Sequence, residues 1–158
     1  MKCVIVAVGH RMPAWIAAGY DEYARRMPRE MPLRLSEIKP EPRTDDTPGA
    51  VRRVMELEAK RIRAALPAGC TVMALDEHGQ QHSSEELADR MRAWRMDGRD
   101  VAFIIGGADG LEPALKSEAH ALWALSRLTL PHGLARVVLA EQLYRAASIV
   151  QGHPYHRT

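Results

Sequence analysis

Two stretches of this chain combine residue types that could form a catalytic or binding site. One is the glycine-rich segment 106–110, which directly follows the apolar run 102–105. The other is the C-terminal sequence HPYHR at 153–157, which brings imidazole, phenol and guanidinium groups together in a short segment. Glycines let a ligand approach the main chain closely, and histidine carries protons near neutral pH. Together the two stretches indicate an enzyme site.

The glycine segment points to a ligand site only in its structural context. Ligands of open α/β sheets bind beyond the carboxyl ends of the strands, where this segment is expected to lie. Its sequence, GGADG, matches neither the dinucleotide fingerprint nor the P-loop. A tight turn that merely leads into a helix at Pro113 explains the same glycines equally well. The ligand therefore stays open at this point.

Other kinds of active site find little support in the sequence. His132, His153 and His156 have no accompanying cluster of cysteines or carboxylates, and a proline separates the last two, so we predict no metal site. No Ser/His/Asp arrangement on a nucleophile elbow is present. Cys3 and Cys70 lie in or beside apolar runs and are expected to be buried, reduced thiols rather than a disulfide.

The charge balance permits an RNA partner without establishing one. The formal net charge is +2, and the aromatic residues are three Trp, four Tyr and one Phe, too few for a platform that stacks bases. Glu56 and Glu58 interleave with basic residues, so this part of the chain is predicted to be a solvated helix surface. No apolar run is long enough for a signal peptide or a membrane span, so we expect a soluble, cytoplasmic protein.

Apolar runs of strand length alternate with segments of helical period. Apolar patterns predict strands at Cys3–Val8, Leu33–Ile38, 71–75 and Val101–Ile105. Helical spacing predicts one helix after Pro13 and four more at 51–66, 85–96, 113–122 and 133–150. The last strand is expected within 122–130, and the proline-rich segment 39–50 is predicted to be a mobile surface loop. This alternation indicates an α/β fold with a mostly parallel sheet flanked by helices.

The last predicted helix is apolar over a much wider arc than one stripe. Such a helix must be buried on more than one side, and a single sheet in so small a domain leaves part of it uncovered. We therefore expect a homodimer, the alternative being a core helix that is wholly internal. Charges on this helix should be partnered or line a site, and Glu141 and Arg145, four residues apart, are expected to pair.

Five motifs, taken in order, resemble those of the RlmH family. They are AVGHRMPAW at 7–15, LDEHG at 75–79, FIIGGADGL at 103–111, LSRLTLPHGLARVVLAEQLYRA at 125–146 and GHPYHR at 152–157. Members of that family are SPOUT-type methyltransferases that use S-adenosylmethionine to methylate a ring nitrogen, N3, of a pseudouridine in 23S large-subunit ribosomal RNA. The resemblance implies a single SPOUT domain over residues 1–158, a deep C-terminal trefoil knot (the α/β knot fold) and a homodimer.

The resemblance also assigns site residues. Those implied to hold S-adenosylmethionine are Leu75, Gly106, Gly107, Leu125, Ser126, Arg127, Leu128, Thr129 and Leu130. The tail residues Tyr155, His156 and Arg157 are placed over the acceptor nucleotide, where Arg157 holds a phosphate or carbonyl and Tyr155 orients the base. His156 is the expected proton acceptor, and His132 is its rival.

The implied substrate is RNA within the assembled ribosome, where many weak contacts replace a strongly basic patch. Two other classes of protein fit parts of the sequence. One is a non-enzymatic nucleotide-binding α/β module that uses the same glycine turn, and the other is a general RNA chaperone. The nucleotide-binding module has no need of the HPYHR tail, so the co-occurrence of the motifs favours the methyltransferase.

Overall fold

Five parallel strands form the centre of the protein, which we describe from a computed structural model covering residues 1–157. The strands are β1 (Cys3–Val8), β2 (Leu33–Ile38), β3 (Thr71–Gln80), β4 (Val101–Ile105) and β5 (Ala121–Trp123). Their order in the sheet is β2-β1-β4-β3-β5, and each of these pairings is parallel. Every residue of β1 and β4 is buried, as expected for central strands that are covered on both faces.

Helices cover both faces of the sheet. They are α1 (Ala14–Ala24), α2 (Pro48–Ala65), α3 (Ser84–Asp97), α4 (Pro113–Glu118) and α5 (His132–Gln151), followed by a short 3₁₀ helix, Pro154–Arg157. Successive strand residues point to opposite faces. Ile5 packs in a cluster with α1, α3 and α5, whereas Val6 packs with α2 and α4. The predicted α/β fold on a parallel sheet is confirmed.

Local sequence signals set the helix ends. The Thr47 side chain accepts a backbone N–H at the start of α2, and Pro48 occupies the first turn. Ser83 and Glu86 form a capping box at the start of α3. Gly152 ends α5 in the left-handed conformation, at φ +70°, and so lets the chain turn back toward the helix.

Several predicted element boundaries were wrong, and the strand predicted at 71–75 continues to Gln80 as β3. The helix predicted at 113–122 ends early, and the last strand, predicted within 122–130, is the three-residue β5 instead. β5 exists because it pairs with residues 73–75 of β3, and pairing between distant segments leaves no periodic pattern in so short a strand. The loop predicted at 39–50 is also shorter, because Pro48 already begins α2.

The wide apolar surface of α5 is covered largely within the same chain. The helix packs against both α1 and α3 and touches β1 and β4. The contact with α1 is close, since a Cβ on Gly19 would lie 3.1 Å from Cγ1 of Val137. This corrects the inference that a second subunit is needed to bury the helix, because two flanking helices cover it in addition to the sheet. The homodimer stays a prediction, but the apolar surface of α5 no longer supports it.

Cys3 and Cys70 are both buried, as predicted, and neither forms a disulfide. Among residues 1–157, no helix combines the length and apolar character that a membrane span requires. The strand order and pairings establish the fold, while the trefoil knot stays a prediction.

Candidate active site

A cavity of about 460 Å³ opens beyond the ends of β4 and β5 and beside the middle of β3. Its wall includes the last residue of β4, the glycine turn 106–110 and most of the segment 125–132, which joins β5 to α5. β3 contributes Asp76 and Glu77, which follow the point where its pairing with β5 shifts register. The cavity therefore lies beyond the carboxyl ends of parallel strands, where ligands of α/β sheets bind.

Seven of the nine residues implied to hold S-adenosylmethionine line this cavity. They are Gly106, Gly107, Leu125, Ser126, Leu128, Thr129 and Leu130. Leu75 instead packs against the core, and Arg127 is exposed outside the cavity wall. The fold thus brings two distant parts of the chain, the glycine turn and the loop 125–130, to one site.

The glycine turn is too tight to admit a side chain at its first position. A Cβ on Gly106 would lie 2.6 Å from the carbonyl carbon of Gly110, closer than Cβ atoms approach in proteins. Gly110, at φ +79°, donates its N–H to the carbonyl oxygen of Gly107 at 3.0 Å. Within residues 1–157, the N–H groups of Ala108 and Asp109 donate no hydrogen bond. These two amides are free to bind a polar group of a ligand.

Side-chain hydrogen bonds hold the loop 125–130 in place. Oγ of Ser126 accepts a bond from the N–H of Leu128 at 2.9 Å, and Oγ1 of Thr129 donates to Oε2 of Glu77 at 2.9 Å. The second bond joins this loop to β3. Leu128 is 75% exposed, so an apolar side chain at the cavity is available to cover a ligand or to contact another molecule.

The carboxylate of Asp76 lines the cavity and accepts two hydrogen bonds. It accepts hydrogen bonds from the N–H of His78 at 2.8 Å and from Nζ of Lys116 at 3.0 Å. Burial by itself raises the pKa of Asp76, but the two hydrogen bonds outweigh burial and hold the pKa below its ordinary value. Sequence reasoning missed Asp76 and Glu77 as site residues, although they directly follow the apolar run 72–75 within β3.

The final helix, α5, begins at the same cavity. Pro131 precedes the helix and supplies no side-chain cap, so the first backbone N–H groups lack an acceptor within the helix. The partial positive charge of a helix N-terminus favours an anionic group. His132, the first residue of α5, lines both this cavity and a second one beside the glycine turn. The structure thus places His132 at the site.

The second cavity, of about 230 Å³, lies between the glycine turn, the end of β1 and α2. Four residues belong to the walls of both cavities: Gly107, Ala108, Asp109 and His132. Glu58 of α2 lines the second cavity and is 5% exposed, so the prediction that it lies on a solvated surface was wrong. Burial raises the pKa of Glu58, whose Oε2 accepts the N–H of Glu41 at 3.1 Å.

Arg136 is a charged residue buried in the apolar surface of α5. It is 1% exposed, and its guanidinium donates to the carbonyl oxygen of Gly9 and to Oε2 of Glu37, each at 2.9 Å. Gly9, at φ +129°, follows β1 and lines the second cavity. Arg136 therefore ties α5 to the turn after β1, and its charge is partnered within the chain.

The tail Pro154–Arg157 folds back onto α5. The hydroxyl of Tyr155 donates to Oε1 of Glu141 at 3.1 Å, and the centre of its ring lies 4.6 Å from that of Tyr144. Arg145 binds the same carboxylate at 2.7 Å, which confirms the predicted pair of Glu141 and Arg145. Its guanidinium also lies 5.0 Å from the centre of the Tyr155 ring. The tail is therefore a polar cluster packed on the helix and not a frayed end.

Within one chain, the tail and the first cavity lie apart. Glu141, which the tail contacts, follows His132 by nine residues, or about 13 Å along an α-helix. None of Tyr155, His156 and Arg157 lines either cavity. Nδ1 of His156 is buried with no hydrogen-bond partner within residues 1–157, and Arg157 is exposed. The structure brings His132, but not the three tail residues, to the residues that the resemblance implies for S-adenosylmethionine in the same chain.

Comparison with known proteins places the chain in a family. The family model described as predicted SPOUT methyltransferase matches residues 1–156, and the protein belongs to this family. It is 60% identical, over 157 residues and 99% of both chains, to ribosomal RNA large subunit methyltransferase H of Ralstonia nicotianae (strain ATCC BAA-1114 / GMI1000). Proteins of the same name from Ralstonia pickettii (strain 12J) and Burkholderia mallei (strain SAVP1) are 58% and 59% identical over the same shares.

Solved structures share the fold at low sequence identity. A probable methyltransferase from Bordetella pertussis Tohama I superposes with a TM-score of 0.54 at 16% identity, over 92% of this chain and 95% of that one. A probable methylase family protein from Haemophilus influenzae Rd KW20 gives a TM-score of 0.53 at 11% identity, over 98% and 69%. Within residues 1–157, no group of three or more His, Cys, Asp or Glu side chains is placed to hold a metal ion.

Proposed function

We propose that this protein transfers a methyl group from S-adenosylmethionine to N3 of a pseudouridine in 23S large-subunit ribosomal RNA. The observation that carries the proposal is the cavity beyond β4 and β5, whose wall contains seven of the nine residues implied to hold the methyl donor. Relatives at 58–60% identity are named as large-subunit ribosomal RNA methyltransferases, which supports the same class of substrate. We treat residues 1–158 as one catalytic domain that works in the cytoplasm.

The residues of the first cavity suit S-adenosylmethionine. Ile105, Leu125 and Leu130 offer apolar surface for the adenine ring, and the free N–H groups of Ala108 and Asp109 can bind polar atoms. The N-terminus of α5 favours the carboxylate of the methionine part. A volume of about 460 Å³ lies within the range of small-molecule sites. When bound, the donor supplies a methyl group carried on a sulfonium.

The protein's own residues must position the acceptor and remove a proton from its ring nitrogen. Methyl transfer requires donor and acceptor to be aligned, so orientation accounts for much of the rate. Imidazole suits the removal of the proton near neutral pH. We assign this role to His156, with His132 as the alternative because it lines the cavity within one chain. Tyr155 orients the base, and Arg157 binds a phosphate or a ring carbonyl.

A second copy of the chain reconciles the positions of the tail and the cavity. Tail residues that lie about 13 Å or more from the cavity along their own helix can reach the cavity of a partner. Trp15 of α1 is 61% exposed, and Leu128 at the cavity is also exposed, which provides apolar surface for such a contact. We therefore propose a homodimer in which each tail completes the site of the other copy.

The charge of the protein fits a substrate that is already folded. A formal net charge of +2 gives little nonspecific attraction to naked RNA. Recognition by shape and by several weak contacts requires the target nucleotide to be held in place. We propose the assembled ribosome as the substrate, so ribosomes should be methylated much faster than a short hairpin with the same target sequence.

The decisive experiment is mass spectrometry of ribosomal RNA. Ribosomes that carry the pseudouridine but lack its methyl group are incubated with the purified protein and S-adenosylmethionine. We expect the mass of one added methyl group on a pseudouridine-containing fragment of the large-subunit RNA. An absence of methylation, together with tight binding of a nucleotide, would instead support the alternative of a non-enzymatic nucleotide-binding module.

A further inference from the structure

The second cavity holds a feature that the proposed methyl transfer does not yet use. It shares the wall formed by Gly107, Ala108 and Asp109 with the cofactor cavity. Val8 and Val54, both buried, add apolar surface on the other sides. Apolar side chains beside a few polar groups are the usual composition of a small-ligand site. The cavity is therefore suited to a flat ring placed next to the methyl donor.

Three carboxylates line the second cavity, and two of them are already paired. Asp109 binds Arg43 at 2.7 Å, and Glu41 binds Arg61 at 2.5 Å. Glu58 forms no ion pair with any group in residues 1–157. Its Oε2 accepts a backbone N–H, but its Oε1 has no hydrogen-bond donor in that part of the chain. Glu58 is thus the carboxylate of this cavity that still needs a partner.

The free oxygen of Glu58 lies against the glycine turn. Oε1 is 3.4 Å from the point that a Cβ on Gly107 would occupy. Burial raises the pKa of Glu58. Because Glu58 lines the cavity, an N–H or O–H group of a ligand placed there could bond this oxygen. A ligand that carries a hydrogen-bond donor therefore suits this cavity.

Pseudouridine differs from uridine by one such donor. In pseudouridine the ribose is attached through a ring carbon, so ring atom N1 carries a hydrogen. In uridine the corresponding position of the ring is a C–H group. N1 and N3 flank the same ring carbonyl, so a base that turns N3 toward the cofactor cavity can turn N1 toward the second cavity. A free carboxylate oxygen there would distinguish the two bases.

We propose that Glu58 selects pseudouridine over uridine by accepting the N1–H of the acceptor base through Oε1. This inference rests on the proposed function, because it concerns the base that is methylated. Uridine in the same position sets a C–H group against the carboxylate and leaves the oxygen unpaired. A site built to bond a particular donor rejects an analogue that lacks it, because its own polar group stays unsatisfied.

The test compares ribosomes that carry pseudouridine at the target position with ribosomes that carry uridine there. We expect the wild-type protein to show a higher kcat/KM with pseudouridine. Glu58→Met, which removes the acceptor, should lower that value by roughly 10- to 100-fold, as expected for loss of a hydrogen bond to a charged group, and should raise the value for uridine, because no unpaired carboxylate oxygen is left in the cavity. Glu56→Gln, at an exposed position of the same helix, is the matched control and should keep the wild-type preference.

The affinity for S-adenosylmethionine, measured by calorimetry, separates this role from a structural one. Unchanged affinity together with a lost preference for pseudouridine supports the proposal. Variants that lose activity on both substrates in equal proportion, or that keep the wild-type preference, overturn it. If the wild-type protein methylates neither substrate, the proposed function itself fails, which is distinct from a loss of preference alone.

Discussion

Nη2 of Arg136 lies 2.9 Å from the carbonyl oxygen of Gly9, a contact between residues 127 positions apart. Gly9 has φ +129°, and a Cβ there would lie 2.9 Å from Cε of Met12 and 3.1 Å from the Arg136 guanidinium. His132, one helical turn before Arg136, lines both cavities. The end of β1, the start of α5 and the two cavities therefore meet at one packed junction.

Replacing Arg136 with methionine should destabilise the protein by about 2–3 kcal/mol, because the carbonyl of Gly9 loses its donor and Glu37 loses its partner. The loss stays below that of a fully buried pair, since Glu37 is partly exposed. Urea denaturation measures the free energy of unfolding. Arg52→Met, at an exposed position of α2, should change it by less than about 0.5 kcal/mol. Equal effects of the two substitutions would contradict this account of Arg136.

Gly106→Ala should weaken the binding of S-adenosylmethionine at least about tenfold, which corresponds to 1.4 kcal/mol. The added Cβ would lie 2.6 Å from main-chain atoms of Gly110, so the glycine turn has to open and its free amides move. Calorimetric titration measures the effect. Gly49→Ala is the matched control, because no atom lies within 4 Å of a Cβ at that position. Wild-type affinity in Gly106→Ala would rule out a cofactor site at this turn.

Removal of residues 154–158 should abolish methylation and leave the affinity for S-adenosylmethionine nearly unchanged. The tail lines neither cavity of its own chain, yet it carries Tyr155, His156 and Arg157. Activity is measured on ribosomes, and affinity by calorimetry. Normal turnover by the truncated protein would remove the tail from the mechanism.

A mixture of the truncated protein with Gly106→Ala should regain activity if the tail of one copy serves the other. A mixed dimer then contains one intact cavity and one intact tail at the same site. Each variant alone, at the same total concentration, is the control. Sedimentation analysis establishes that mixed dimers form; formation of such dimers without activity would show that tail and cavity act within one chain.

The stability of the wild-type protein should carry a pH dependence that Glu58→Gln removes. The pKa of Glu58 is raised in the folded state, mainly by burial. Between the ordinary pKa and the raised one, the folded state binds more protons than the unfolded state, so stability falls as the pH rises. When urea unfolding is measured from about pH 4 to about pH 8, the free energy of unfolding of Glu58→Gln should rise relative to that of the wild type. A constant difference at all pH values would be inconsistent with the raised pKa.

The central part of the sheet could be predicted from the sequence because its strands are buried on both faces. Such strands need an apolar residue at every position, and the runs CVIVAV and VAFII match β1 and β4 to the residue. β5 could not be predicted in the same way. It has three residues and owes its existence to pairing with β3, which no local pattern records.

The glycine turn could be picked out from the sequence, whereas the buried carboxylate of Glu58 was missed. The glycine turn was visible because glycines follow a strand directly. Glu58 was taken for surface, although it follows the buried Val54 by four residues and so shares its helix face. The separation of tail and cavity could not be foreseen, since it depends on how the chain turns back after Gly152.

Cys3 of β1 pairs with Val101 of β4. The first strand to be synthesised therefore lies beside a strand that is synthesised much later. Until β4 has been synthesised, β1 is an apolar strand with an open edge, and α5, which covers one of its faces, emerges later still. Open apolar edges invite pairing with other chains, and contacts between distant segments form slowly. The pairing of β1 with β2 can form early, whereas the centre of the sheet can close only after β4 has been synthesised.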